Sequence, residues 1–327
     1  MKLRIMPGVL ISAVLLTSCS VSRNISRGQS FSFDTLTSVT VCSKNSSSKD
    51  ILDAVQDCLS EMSDNFSLCY DTDADALPEN GLYTDCIADT KALDRLYGDK
   101  INITCGALTG LWGISTDSPR VPVQEEITEA LALMTDTDYP ENTSDFPEGV
   151  KLDFGAVAKG YALDRIYEAL AASEDTDYAV VSLSSSTLLY GQKPGGEKFH
   201  TAVTDPDTGT GYLGIIETEA AFISTSGGSE RFFEADGQKY CHILDTKTGY
   251  PAETDLASVT VIVPADTPGG GIKSDFLSTL IYIEGSGELE KWLACEDIRI
   301  IAADANGAVY TSCGGFTLDE SSKYKYG

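Results

Sequence analysis

The sequence predicts an α+β fold: a mixed α/β architecture with antiparallel-rich sheets and packed helices. Three observations carry this expectation. Two turn pairs, Asp236-Gly237 and Asn306-Gly307, stand within β-branched or alternating runs and mark hairpins. Segments of helical period lie among these hairpins, which indicates antiparallel pairing and not a doubly wound sheet. No internal repeat or sharp shift in composition divides the 327 residues, so one continuous unit over residues 31–327 is expected. An apolar fraction of 42% is enough for most of that unit to build a core.

Taken in order, the chain opens on a targeting segment. Lys2 and Arg4 supply positive charge, residues 9–16 a short apolar core, and Leu-Thr-Ser-Cys at 16–19 a lipobox. The apolar run is too short to span a bilayer. Residues 1–18 are therefore read as a lipoprotein signal peptide and Cys19 as the lipidated first mature residue. Residues 19–30 are read as a polar tether, with the membrane reached through the lipid alone. Residues 31–41 read as a strand. Residues 48–62 carry Ile51, Val55, Leu59 and Met62 at helical spacing. An acidic loop is expected over 63–81 and a short helix over 88–97. An apolar stretch broken by glycines follows at 101–113, where Trp112 packs. A helix over 123–134 and a polar loop over 135–145 come next.

Residues 151–164 concentrate small residues: Gly155, Ala156, Ala158 and Gly160, with Lys159 among them. Asp153 is expected to cap a helix running to about residue 172, whose first free N–H groups favour a phosphate. A tightly packed helix–strand junction explains the small residues equally well. Strands are expected at 178–183, before a serine run at 184–186, and at 199–204, where His200 is structural. The stretch 223–228, Ile-Ser-Thr-Ser-Gly-Gly, reads as a small polar turn after an apolar strand. The hairpin over 231–240 delivers His242. A strand over 257–263 and a Pro/Gly loop over 264–271 lead to a helix with Asp275 and Thr279 four apart. If that segment is helical, an acid and a hydroxyl share one face, a donor pair suited to Mg²⁺ though by itself more often a plain polar face. A hairpin over 298–310 closes the series.

A formal charge of −27 argues against nucleic acid and against anionic lipid held through a basic patch. A phosphorylated ligand on so acidic a chain calls for a metal or for local donors. Eight cysteines follow Cys19 without Cys-x-x-Cys spacing, and buried free thiols are as compatible with them as disulfides.

Four stretches, 152–164, 223–227, 242–251 and 257–279, resemble in order and spacing the FAD:protein FMN transferases, the ApbE family of flavin transferases. Residues 70–80 and 101–113 resemble further family segments. The resemblance covers nearly all of 31–312 and implies a T-fold-like architecture. It also implies transfer of FMN from FAD to a Thr or Ser hydroxyl of a target redox protein subunit, with release of AMP. By the same resemblance Mg²⁺ is held by Asp275, Thr279 and the carbonyl of Ala156. Lys159, Ser224, Thr225, Thr248 and Asn80 lie about the flavin nucleotide, and His242 is the base, its loop shaped by Asp245. The extracytoplasmic face of the cell membrane is the implied location. A histidine is a suitable base for a weakly nucleophilic hydroxyl. A metal-dependent FAD pyrophosphatase and a non-catalytic flavin-binding lipoprotein are the alternatives. Three departures stand out. Ser-Leu-Ser-Ser-Ser at 182–186 replaces a glycine-bearing motif, Thr246 replaces a proline, and Ile101-Asn102 replaces Phe-Asp.

Overall fold

Period-two alternation builds a long sheet whose two faces bury different partners. The computed structural model describes residues 24–44, 47–136, 138–208 and 210–327. The signal peptide, Cys19 and the first part of the tether lie outside the described residues. The elements are β1 (Asn24–Ser32), β2 (Thr35–Ser43), α1 (Ser48–Leu68), α2 (Gly81–Tyr97), α3 (Gly106–Trp112), α4 (Gln124–Ala132) and α5 (Ala158–Ala171). Then come β3 (Thr176–Leu183), β4 (Ser186–Gly191), β5 (Phe199–Thr204), β6 (Tyr212–Thr218), β7 (Ala221–Gly227), β8 (Phe232–Ala235) and β9 (Gln238–Cys241). The chain finishes with β10 (Leu256–Pro264), α6 (Gly270–Glu284), α7 (Leu289–Leu293), β11 (Arg299–Asp304), β12 (Ala308–Thr311), β13 (Phe316–Leu318) and β14 (Lys325–Tyr326).

Nine strands form the main sheet in the order β1-β2-β3-β4-β7-β10-β11-β12-β14. Every pairing in it is antiparallel except β12 with β14. On β3, Ala179, Val181 and Leu183 join the core beneath the helices, while Tyr178 and Val180 join a second core against the small sheet β13-β6-β5. Helices thus cover one face and three strands the other. A third cluster, with Trp112, Ile127, Phe233 and Leu244, ties α3 and α4 to the β8–β9 hairpin and the loop after it.

The mixed fold class is as expected, and several boundaries are not. Residues 24–30 do not belong to a tether: they pair with β2 from Asn24↔Ser43 onward. Helix α1 runs past residue 62 to Leu68, because Phe66 continues its buried stripe of Leu52, Val55, Leu59 and Met62. Asn80 opens α2 seven residues before the helix expected there, its side chain accepting a hydrogen bond from Tyr83 N. Residues 223–227 are strand β7 and not a turn. The serine run leads directly into β4. Cys58, Cys69, Cys86, Cys105, Cys241, Cys295 and Cys313 are free.

Candidate functional site

Helices α5 and α6 lack local side-chain caps and cap each other instead. The residue before α5 is Val157 and the one before α6 is Gly269, neither of which supplies a capping side chain. Asp164, on α5, accepts from Gly271 N (2.8 Å) and Ile272 N (2.7 Å) at the start of α6. Asp275, on α6, accepts from Gly160 N (2.9 Å) in the first turn of α5. All three bonds satisfy helix-start N–H groups that have no partner within their own helix. The arrangement requires near contact of the two backbones. A Cβ on Gly160 would stand 2.3 Å from the Gly271 carbonyl oxygen, and one on Gly271 would stand 2.3 Å from that of Gly160.

A row of hydroxyls sets the rotation of α6 against β7. Ser224 Oγ lies 2.9 Å from Ser274 Oγ, and Ser226 Oγ lies 2.8 Å from Ser278 Oγ and 3.0 Å from Thr279 Oγ1. Buried hydroxyls are tolerated because each finds a partner. This rotation turns Asp275 toward Gly160 and toward Ser186 at the start of β4, whose hydroxyl donates to Asp275 Oδ1 at 3.1 Å. Asp275 is 3% exposed, and burial holds its carboxyl above the usual range. Lys159 and the two hydrogen-bond donors oppose that shift. No Lys, Arg or His nitrogen among the described residues pairs with it within 4.0 Å. Each carboxylate oxygen keeps an unused lone pair.

These elements open onto a cleft of about 710 Å³. It is lined by Ala156, Lys159, Thr225, His242, Asp275 and Thr279 of the expected residues. His242 follows β9 directly. Its backbone N–H (3.1 Å) and ring Nδ1 (3.2 Å) both reach the Arg231 carbonyl. A carbonyl can only accept, so this contact selects the Nδ1–H tautomer and leaves the Nε2 lone pair free. Burial, reinforced by Arg231 and Lys159, pushes the imidazole down to about 3, so it is neutral at pH 7. The type of turn predicted at Asp236-Gly237 is present, with φ of 52° and 79°.

Four expected site residues lie outside the cleft lining. Asn80 caps α2 and donates to Asn65 Oδ1 at 3.2 Å. Ser224 is fully buried against α6. Asp245 shapes the loop as a turn former: its carboxylate accepts from Lys247 N (2.8 Å) and Thr248 N (3.3 Å), and its carbonyl from Gly249 N (2.8 Å). Thr248 stays within that turn, accepting from Tyr250 N at 3.3 Å. The buried Trp112 pins the turn through Nε1–H to the Gly249 carbonyl at 2.8 Å.

Asp153 makes the opposite correction. It is not the cap of α5, which begins five residues later. It lines the cleft, accepting from Thr109 Oγ1 (2.6 Å) and Gly155 N (2.7 Å). Nor does the start of α5 offer a row of free N–H groups to a phosphate. Val157 N and Ala158 N bond the Phe154 carbonyl, Gly160 N bonds Asp275, and Tyr161 N bonds the Val157 carbonyl. Glu230 and Arg231 also line the cleft, and the sequence reading passed them over. The available signal was a cation just before the hairpin that delivers His242.

A fold of this kind is known. The chain superposes on the crystal structure of the ApbE protein from Thermotoga maritima with a TM-score of 0.77 and 27% identity, covering 88% of this chain and 97% of that one. The ApbE family pattern matches residues 33–302, and the chain belongs to that family. A FAD:protein FMN transferase of Treponema pallidum is 32% identical over 207 residues, which span 58% of this chain and 56% of the relative. Another, from Klebsiella pneumoniae, is 31% identical over 227 residues, spanning 68% of this chain and 69% of the relative.

Proposed function

We propose that this chain is a Mg²⁺-dependent FAD:protein FMN transferase, anchored by lipid at Cys19 to the outer face of the cell membrane. The observation that carries the reading is one cleft lined by a buried carboxylate, a hydroxyl, a lysine and a neutral histidine, in a member of the ApbE family. The names of its relatives support the reaction. The lipobox at 16–19 supports the anchor, and no helix among the described residues is long and apolar enough to cross a membrane.

The donor set fits the metal. Asp275, Thr279 and the Ala156 carbonyl offer oxygen only, as Mg²⁺ prefers, and the carboxylate is buried without a protein cation in contact. Among the described residues no cluster of three His, Cys, Asp or Glu side chains competes for it. When bound there, Mg²⁺ would neutralise charge on the pyrophosphate.

The chain's own residues do the rest. Lys159 offsets phosphate charge. An acceptor Thr or Ser hydroxyl attacks the phosphorus of the FMN half of FAD. The new O–P bond forms as the bond to the AMP phosphate breaks, His242 Nε2 takes the hydroxyl proton, and AMP leaves. Such transfer depends mainly on positioning and charge. The acceptor is a threonine or serine of an exported or membrane redox subunit.

The purified mature domain is incubated with FAD, Mg²⁺ and a threonine-bearing acceptor peptide. Mass spectrometry should find an FMN adduct on the peptide, chromatography should find AMP, and a Thr→Val peptide should give neither. AMP without adduct would mean hydrolysis by water, and bound FAD without either product would mean a flavin-binding protein. The anchor is checked separately: Cys19→Ser should move the protein from the membrane to the soluble fraction.

A further inference from the structure

We propose that Arg231 is a second phosphate-binding residue of the cleft, acting with Lys159 to hold the pyrophosphate charge beside His242. This rests on the reading of FAD as substrate. First, Arg231 lines the cleft with its guanidinium unpaired with a carboxylate among the described residues, unlike several other arginines of the chain. Arg95 pairs with Asp138, Arg120 with Glu126 and Arg165 with Glu168. Arg299 donates to the carbonyls of Glu296 and Ile298. Arg231 has no carboxylate oxygen within 4.0 Å among the described residues. Its described side-chain bond is a long one, Nη1 to Ser115 Oγ at 3.4 Å. A guanidinium with unused donors in a cleft suits the forked geometry of a phosphate.

The second argument is placement. The carbonyl of Arg231 holds both the backbone and the ring of His242, so the guanidinium and the base are tied to one residue. Lys159, Arg231 and His242 line the same cleft, together with the carboxylate of Glu230. The third argument is need. Ala158, Gly160 and Tyr161 N–H of the first turn of α5 are occupied, so side-chain cations have to share the phosphate charge at this end of the cleft.

The test is binding, measured by calorimetry on the full mature domain with and without Mg²⁺, using FAD, inorganic pyrophosphate and riboflavin as probes. Arg231→Gln should weaken FAD and pyrophosphate about 10- to 100-fold, the range a charged hydrogen bond covers, and leave riboflavin binding unchanged. Arg231→Lys should recover part of the loss. Arg231→Gln also removes a cation beside His242, so the acid limb of kcat/KM should move to higher pH. Unchanged pyrophosphate affinity would overturn the proposal, as would an equal loss of riboflavin, which marks a structural role. A pyrophosphate effect without any FMN adduct in the wild type would keep the anion site and remove the transferase reading. Adduct formation with Arg231→Gln binding like wild type would do the reverse.

Discussion

Gly160→Ala should disable the site from outside the cleft. The added Cβ would stand 2.3 Å from the Gly271 carbonyl oxygen and 2.7 Å from Asp275 Cβ, where ordinary contact begins at 3.4 Å. Two of its three closest neighbours are backbone atoms of α6 and cannot swing aside. The helices must therefore part by about 1 Å, and overpacking of that kind typically costs ~1–3 kcal/mol. Parting also stretches the bond from Gly160 N to Asp275 and the pair from Asp164 to α6. Weakening one hydrogen bond to a charged group adds ~1.5–3 kcal/mol. A total of roughly 2.5–6 kcal/mol corresponds to a fall in Tm of ~4–10 °C for a chain of this size. Displacing Asp275 by about 1 Å should lower turnover about 100-fold. Thermal unfolding followed by circular dichroism gives the first quantity and AMP release from FAD the second. Gly110→Ala is the control, since nothing lies within 4 Å of a Cβ there; it should leave both unchanged or slightly raise Tm. A Gly160→Ala protein with wild-type Tm and wild-type turnover would refute the idea that the α5–α6 contact positions Asp275.

Further expectations concern pH and one turn. In the free protein kcat/KM should stay flat from pH 6 to 8, because the His242 imidazole is pushed down to about 3. An acid limb near the ordinary histidine value of about 6.5, abolished by His242→Gln, would contradict this. Asp164, pushed up to about 6 by burial, has a folded value above its unfolded one near 3.8. Its contribution to stability is therefore full below about 3.8 and lost as pH rises through about 6, so denaturant titrations should show stability falling across that window and Asp164→Asn should flatten the fall. Ser184 occupies φ +64° at the β3–β4 turn. Ser184→Gly should relieve ~1 kcal/mol of left-handed strain, partly offset by unfolded-state entropy, and an unchanged or lower denaturation midpoint would count against that strain.

Most helices and central strands were legible because burial is periodic in them. Helix α1 and strands β3, β5 and β10 announce themselves through spaced or β-branched apolar residues. Strand β7 did not. Its helix-facing positions 224 and 226 are serines matched to hydroxyls of α6, so a buried face reads as a polar turn. The reciprocal caps were hidden for another reason. Capping is sought within a few residues of a helix start, and these caps come from positions 107 and 115 residues away. The same habit misplaced Asp153, which stands where a local cap belongs and lines the cleft, whereas Asp245 shapes the turn after the histidine as expected.

The occupied first turn of α5 changes how an acidic chain must handle an anion. A helix start normally contributes both N–H donors and roughly half a positive charge. Here Asp275 takes the Gly160 N–H and brings a carboxylate to the same place, which offsets much of that positive end. Lys159, on that same turn, and Arg231, just before β8, are not paired with carboxylates within 4.0 Å among the described residues. Anion binding then rests on two side chains plus whatever cation Asp275 holds, all of them screened by salt more readily than backbone donors pinned in a helix. FAD affinity should accordingly fall with ionic strength, and fall less steeply once Arg231 is replaced by glutamine. An affinity indifferent to salt would refute this and place the phosphate against backbone N–H groups.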